Sequence, residues 1–304
     1  MAVTPVVCPE TLAAVPLPAG NVETVTVPAP AKLNLFLHVT GRRADGYHLL
    51  ESLFCLVTLA DTLRFTRLAA ASGVVRTGDM AEAGEADLCV RAARALEKKT
   101  GKNLDVEIHV TKRIPSGAGM GGGSSDAAST LITLNRLFAL GLTRDELITI
   151  AVTLGADVPF FVFGQTAFAR GIGEILTPVT TPAARVALAM PSVPTATAGI
   201  FGDPELKRDT PSVSVEALTS DIQAHWPRLF GHNDLEAVVV KRNPDVRRLI
   251  AAMGAGARMT GSGSAVFAAE VSEESALKHL KNLAAGDAGW TATVLARHPL
   301  YDWL

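Results

Sequence analysis

The sequence predicts a globular chain of mixed strands and helices, long enough for two domains. Three observations carry this. Of its 304 residues, 48% are apolar and 19% charged, the balance of a protein that buries a core. Segments apolar on alternate residues, as half-buried strands are, interleave with segments whose apolar residues recur at helical spacing. Between one such strand and one such helix lies Pro115-Ser-Gly-Ala-Gly-Met-Gly-Gly-Gly-Ser-Ser125, with five glycines in eleven residues. Glycine weakens the interior of either element, so this density belongs where backbone bends freely or approaches something closely.

In chain order, residues 1–24, broken by Pro5, Pro9, Pro16 and Pro18, read as a loose extension. Val22–Val27 alternates as a first strand, which Pro28-Ala-Pro30 interrupts. Ala31-Lys-Leu-Asn-Leu-Phe-Leu-His-Val39 puts Leu33, Leu35, Leu37 and Val39 on one face. Lys32, Asn34, Phe36 and His38 fall on the other. On this pattern alone Lys32 and Asn34 could equally be ordinary solvent-side residues. Gly41–Gly46 is a turn cluster. Tyr47 and His48 leave it and precede the apolar run Leu49–Leu59. Such a pair is usually structural, but it can stack on and hydrogen-bond to a heteroaromatic ring. Leu63–Leu68 suits a short strand, and residues 70–85, rich in Ala and Gly, read as loop. Leu88–Leu96 has helical spacing with Asp87 as N-cap.

Leu104–Val110 is the strand entering the glycine loop, and Asp126–Phe138 the helix leaving it. Ser124, Ser125 and Asp126 are placed to cap that helix. Free amides at a helix N-terminus make a phosphate site. Three readings compete for the loop: a plain turn, a dinucleotide fold, or the ATP loop of a kinase outside the P-loop class. Gly117, Gly119 and Gly122 fit GxGxxG, but the acidic strand end expected roughly 20 residues on is replaced by a helix start. GxxxxGK[ST] is absent, since no lysine lies in the loop.

Thr143-Arg-Asp-Glu146 is a capping box opening a helix that Gly155 closes. In Ala156–Phe163, Pro159 disfavours helix at Val158, which puts Asp157 on a bend. An Asx turn or cap would explain it. The apolar surroundings favour instead a carboxylate that faces a cation or a substrate. Val186–Met190 opens the second half as a strand. Ala198–Pro204 is a loop carrying Phe201, Asn233 and Asn243-Pro244 start helices, and Arg258–Phe267 reads on its own as a hairpin turn. A strand over Trp290–Leu295 completes the fold.

A formal net charge of −2 offers no footprint for nucleic acid or an anionic membrane. No uncharged apolar run reaches the roughly 18 residues of a membrane span, and the N-terminus does not read as a signal peptide. Cys8, Cys55 and Cys89 are odd in number and lack a C-x-x-C pair, which predicts free thiols in a reducing cytoplasm and no structural zinc.

Three segments together resemble the GHMP small-molecule kinases: Pro28-Ala-Pro-Ala-Lys-Leu-Asn-Leu35, the loop Pro115–Ser125, and Thr260-Gly-Ser-Gly-Ser264. Within that family, Gly41-Arg-Arg-Ala-Asp-Gly-Tyr-His48, Leu154-Gly-Ala-Asp-Val-Pro159, Gly171–Pro178 and Asp203-Pro-Glu-Leu206 resemble a branch acting on an alcohol that carries a cytidine diphosphate group. The likeness spans about residues 25–297.

It implies an α+β, two-domain GHMP kinase fold: an ATP-binding N-terminal domain (25–178) with a left-handed βαβ crossover, and a ferredoxin-like C-terminal domain (179–304) that binds substrate. Lys32 and Asp157 match the catalytic pair. Pro115, Ser116, Gly117, Ala118, Gly119, Met120, Gly121, Gly122, Gly123, Ser124 and Ser125 would cradle ATP. Asn34, Tyr47, His48 and Phe201 match substrate positions, with Tyr47 and Phe201 sandwiching cytosine. Gly261–Ser264 would back the site. Mg·ATP is the expected donor, but no residue matches the acidic metal ligand of other GHMP kinases, so no tightly bound metal is predicted. The chain could act as monomer or homodimer. Homoserine or mevalonate kinases are the rival enzymes, and a nucleotide-binding module without activity is the rival of another class.

Overall fold

Two long antiparallel strands form the spine, and everything that builds the site is attached to one of them. They are β2 (Thr24–Arg42) and β3 (His48–Arg67), the second and third strands after the short β1 (Val6–Val7). The computed structural model describes residues 3–18, 20, 22–80, 86–192, 199–228 and 231–304. Pro28 and Pro30 do not interrupt β2; they sit opposite Thr62 and Ala60 in its register with β3. Proline lacks an N–H, and it is tolerated here because, among the described residues, β3 alone forms a ladder with β2.

That open edge does not face water. The Lys32 N–H donates to the Met120 carbonyl at 3.0 Å, Asn34 N–H to Thr260 Oγ1 at 2.8 Å, and Leu37 N–H to the His232 carbonyl at 2.9 Å. Glycine loop and third motif therefore cover the strand, and Ala29–Val39 is buried on both faces. The expected polar, solvated face is overturned for this reason: Lys32, Asn34 and His38 point into protein, at 4%, 2% and 4% exposure. Register shifts at Pro30/Ala31 and Asn34/Leu37 flank this stretch and re-aim its side chains.

Next come β4 (Val74–Gly78), α1 (Leu88–Thr100) and β5 (Val106–Thr111). β4 pairs parallel with β5, and α1 makes the crossover such pairing needs. Residues 70–85 are thus not all loop, because β5 supplies ladder partners that propensity does not reveal; 81–85 lie outside the described residues. The Asp87 carboxylate caps α1 through the Cys89 and Val90 N–H groups.

α2 (Gly122–Leu137), α3 (Arg144–Leu154) and α4 (Val158–Phe163) follow. Thr143 and Glu146 form the expected capping box of α3. α4 begins at Val158, one residue sooner than Pro159 was expected to allow, because proline in a first helical turn forfeits no hydrogen bond. These helices and α1 bury Leu96, Leu131, Leu147 and Phe161 in one core cluster. β6 (Ala167–Arg170) and β7 (Ile175–Pro178) extend the other end of β3.

The second half runs β8 (Arg185–Met190), α5 (Val215–His225), α6 (Asp234–Arg242), α7 (Pro244–Met253), β9 (Arg258–Met259), β10 (Val266–Glu270), α8 (Glu273–His279) and β11 (Ala288–Leu295). Its strands order β11-β8-β10-β9, the last, first, third and second of the four, as in a ferredoxin-like half. β11 also pairs with β3 through Val294 and Leu295, joining both halves in one sheet. Arg258–Phe267 is the hairpin read from sequence.

Where the sequence reads as a loose extension, β1 pairs parallel with β11. Trp303 Nε1–H donates to the Val15 carbonyl at 2.7 Å, and Leu12 and Val15 pack against the first core. An isolated segment of this composition has no partner; the β11 edge supplies one.

Candidate active site

A cavity of about 790 Å³ opens between the two halves. Lys32 and Asn34 from β2, Tyr47 from the turn before β3, His48 as the first residue of β3, Asp157 before α4 and Phe201 from the second half all line it. A second cavity, about 280 Å³, is lined by Pro115 through Ser124 with Leu88, Lys112 and Ile114. Both share Gly119, Gly121 and Ser124. Two compartments that meet at a loop of backbone amides are what transfer of a group between two bound molecules requires.

The loop's conformation follows from its glycines. Gly117, Gly119 and Gly121 have φ of 67°, 75° and 70°, a left-handed backbone that glycine adopts without strain. Helix α2 begins at Gly122, earlier than expected, with Gly121 as its N-cap and no capping side chain. The first turn closes with Ser125 N–H on the Gly121 carbonyl at 2.8 Å. The N–H groups of Gly122, Gly123 and Ser124 consequently have no carbonyl within the helix, a donor set for phosphate. Ser124, Ser125 and Asp126 are therefore not caps. Ser125 is fully buried and donates to the Pro30 carbonyl at 2.7 Å, away from both cavities. The third motif does back the loop: Ser264 and Ala265 N–H groups donate to the Gly117 and Ala118 carbonyls, each at 3.1 Å.

Lys32 Nζ lies 3.5 Å from Asp157 Oδ2, donates to Asn34 Oδ1 and sits 5.1 Å from the Phe54 ring centre. Asn34 Nδ2 in turn donates to Ser52 Oγ at 2.9 Å. The amide of Asn34 thus holds the ammonium as well as lining the cavity. Asp157 makes no capping hydrogen bond and is 35% exposed, so its carboxylate is paired with Lys32 and open to a ligand. An accessible carboxylate can accept a hydroxyl proton, and a buried cation beside it adds positive charge at the reacting oxygen.

Tyr47 is 61% exposed at the cavity mouth. His48 and Phe201 stand face to face across the halves, ring centres 5.3 Å apart and tilted 37°. Ala198, the first residue of the expected Phe201 loop, lies outside the described residues. Sequence reasoning missed Ser52 and Phe54, hidden in the apolar run Leu49–Leu59. It also missed Arg208, whose Nε donates to His48 Nε2 at 3.0 Å. Nothing in a lone arginine two residues past Leu206 marks it.

Behind the loop, Lys112 Nζ lies between Asp61 and Asp126, 2.6 Å from Asp126 Oδ2. Asp61 also accepts the Arg113 and Ile114 N–H groups. Asp126 Oδ1 is buried with no partner among the described residues. Burial and then the Asp61 charge push the Asp126 carboxyl up to about 7, against the pull of Lys112. Burial opposes the Lys112 charge, yet Asp126 and Asp61 hold that ammonium above its ordinary range. Those two directions point opposite ways for one ion pair, because burial leads at Asp126 while at Lys112 the two carboxylates together outweigh it.

The native state thus prefers Asp126 protonated. Its contribution is complete below the ordinary value of 3.8 and is lost as pH rises to about 7. Asp126→Asn should therefore raise the melting temperature at about pH 8 and change it little at about pH 4. Melting curves at both pH values check this. A lower melting temperature at pH 8 would mean that pairing with Lys112 outweighs burial.

Ser125 Oγ donates to the Pro30 carbonyl and Asp126 Oδ2 accepts from Lys112. Among the described residues no three His, Cys, Asp or Glu side chains stand close enough to share an ion.

The profile described as GHMP kinases N terminal domain matches residues 87–165, and that described as GHMP kinases C terminal matches 218–284. The 4-diphosphocytidyl-2-C-methyl-D-erythritol kinase of Thiobacillus denitrificans is 48% identical over 280 residues, covering 91% of this chain and 98% of that one. The enzyme of the same name from Bordetella parapertussis is 52% identical over 247 residues, 80% of this chain and 81% of the relative. A crystal structure of 4-(cytidine 5'-diphospho)-2C-methyl-D-erythritol kinase superposes with TM-score 0.76 at 36% identity, covering 89% of this chain and 99% of that one. Homoserine kinase from Cytophaga hutchinsonii, at 17% identity and TM-score 0.69 over 92% of this chain and 97% of that one, shares the fold. The chain belongs to the 4-diphosphocytidyl-2-C-methyl-D-erythritol kinase family of the GHMP kinases.

Proposed function

We propose that the protein transfers the γ-phosphoryl group of ATP to the 2-hydroxyl of 4-diphosphocytidyl-2-C-methyl-D-erythritol, a step in isoprenoid precursor synthesis. The observation that carries this is the meeting of the two cavities at Gly119, Gly121 and Ser124, with Lys32 and Asp157 on the acceptor side. The loop amides bind the ATP phosphates, presented as Mg·ATP, and stabilise charge developing on the transferred group. Asp157 accepts the hydroxyl proton; Lys32, 3.5 Å from its carboxylate, adds positive charge beside the reacting oxygen. Asn34 and Ser52 fix Lys32. Residues 25–178 are the ATP-binding and catalytic domain and 179–304 the substrate domain. A reducing cytoplasm suits the three cysteines, which are free and buried. No helix among the described residues is long and apolar enough to cross a membrane.

ADP release with the cytidylyl alcohol, compared with homoserine and mevalonate, tests the reading. Turnover of either rival at a comparable rate overturns it, and ATP binding without ADP release from any alcohol would leave a binding module.

Tyr47 supplies the specific check on the base. One stacking contact is worth about 1–3 kcal/mol, or roughly a five- to 150-fold change in binding. Tyr47→Ala should raise KM for the cytidylyl alcohol by that factor and leave KM for ATP almost unchanged. At 61% exposure the ring contributes little to the core, so the melting temperature should hold. A fall in melting temperature with both KM values unaltered would make Tyr47 a packing residue.

A further inference from the structure

Arg208 reaches across the cleft from the second half to the first. Its Nε–H donates to His48 Nε2 at 3.0 Å. The rest of the guanidinium is spent on its own loop: Nη1 on the Leu206 carbonyl at 2.9 Å, and Nη2 on the Phe201 and Asp203 carbonyls at 3.0 and 2.7 Å. One planar group therefore ties two aromatic residues of the cavity together, the His48 ring directly and Phe201 through its backbone.

The chemistry of the contact decides more than position. A guanidinium has five donors and no acceptor. Nε2 must then be the accepting nitrogen, and the neutral ring carries its hydrogen on Nδ1. The polar atom of His48 left for a ligand is a donor only. Pyrimidines differ at this point: cytosine has a bare N3 that accepts, while uracil has an N3–H that would meet the ring donor to donor.

We propose that Arg208 is the positioning residue that sets base choice, by holding His48 in its Nδ1–H form so that the cavity takes a pyrimidine whose N3 accepts. This rests on the cytidylyl alcohol being the acceptor substrate. Burial, then the Arg208 and Arg42 charges, hold the His48 ring below its ordinary range and so neutral near pH 7, the state that the tautomer requires.

The first measurement needs no substrate: nitrogen NMR of protein labelled at histidine, in the wild type and in Arg208→Met. His48 should show a protonated Nδ1 and a bare Nε2 in the wild type. It should change toward Nε2–H in the variant, where no donor holds Nε2. The second is kcat/KM for the cytidylyl alcohol against its uridylyl analogue. Wild type should prefer cytidylyl by about tenfold or more, the worth of one mismatched hydrogen bond, and Arg208→Met should bring the ratio toward one.

Arg208→Lys separates positioning from mere loop support. It keeps a cation that can only donate but drops the fork that grips three carbonyls. It should raise KM for both alcohols while preserving the cytidylyl preference and the Nδ1–H form, and it serves also if Arg208→Met folds poorly. A wild-type ring protonated at Nε2 overturns the proposal. So does a cytidylyl preference unchanged in the Met variant, or lost in a Lys variant that retains Nδ1–H. Absence of any turnover of the cytidylyl alcohol by the wild type would instead fell the substrate reading, with the NMR result still reporting what Arg208 does to His48.

Discussion

Asp157→Asn should lower kcat by roughly 10²–10⁴, the usual worth of a positioned proton acceptor, while the ATP dissociation constant stays within about twofold. The substitution keeps the shape and removes the charge and the basicity. Lys32 would lose its partner at 3.5 Å but keep Asn34 Oδ1 and the Phe54 ring, so the ammonium stays in place and the fold survives. Asp157 does not line the loop-side cavity, which is why nucleotide affinity should hold. The alternative use of this residue, as a helix cap, predicts the reverse: a drop in stability with activity intact. Asp157 makes no capping bond to α4, and that favours the catalytic outcome. Single-turnover phosphoryl transfer, ATP titration and a melting curve on one preparation separate the two, and near-normal transfer would remove Asp157 from the mechanism.

Gly119→Ala should damage both the fold and nucleotide binding. A Cβ there would lie 2.5 Å from the Thr260 carbonyl oxygen, 3.0 Å from Gly263 N and 3.1 Å from Gly263 O, all backbone that cannot swing aside. The residue also holds φ of 75°, which costs an L side chain about 1–2 kcal/mol. Overpacking adds roughly 1–3 kcal/mol. The sum, about 2–5 kcal/mol, lowers the melting temperature by roughly 3–8 °C for a chain of this size. Because the displaced segments are the glycine loop and the motif behind it, ATP affinity should fall with it, by about tenfold or more.

Gly123→Ala is the control. Its Cβ would meet only Leu88 Cδ1, at 3.6 Å, and alanine is the better helix former, so stability should hold or rise slightly. Equal effects of the two substitutions would mean that the loop needs glycine for freedom alone and not for closeness to Thr260–Ser264.

Gly121 lies between these cases. A Cβ there would stand 3.0 Å from the Phe161 ring and 3.2 Å from Lys32 Cγ, so a larger residue would press on the Lys32 stem. Composition alone says that five glycines mark one loop. It does not say that one faces a neighbouring backbone, another a lysine stem and a third open helix surface.

Local pattern and spacing determined most of what is local. The capping box at Thr143 and Glu146, the caps at Asp87, Asn233 and Asn243, and the strand–glycine loop–helix order are all satisfied within a few residues of themselves. That is why they are legible in one dimension, and why motifs at Lys32, Asp157 and Thr260 could be joined into one family before any distance was known.

What only the tertiary structure decided is every case where the partner is distant in sequence. Lys32 and Asn34 look solvated because alternation implies one wet face. They are buried because Met120 and Thr260 come from elsewhere to take the amides of β2. Val74–Gly78 is a strand because β5 pairs with it, and the N-terminal residues are held because β11 has a free edge. Arg208 carries no sequence signal at all, since its meaning is a contact 160 residues away. Backbone hydrogen bonds and ring tautomers are completed by whichever group arrives, and the sequence around a donor does not name its acceptor.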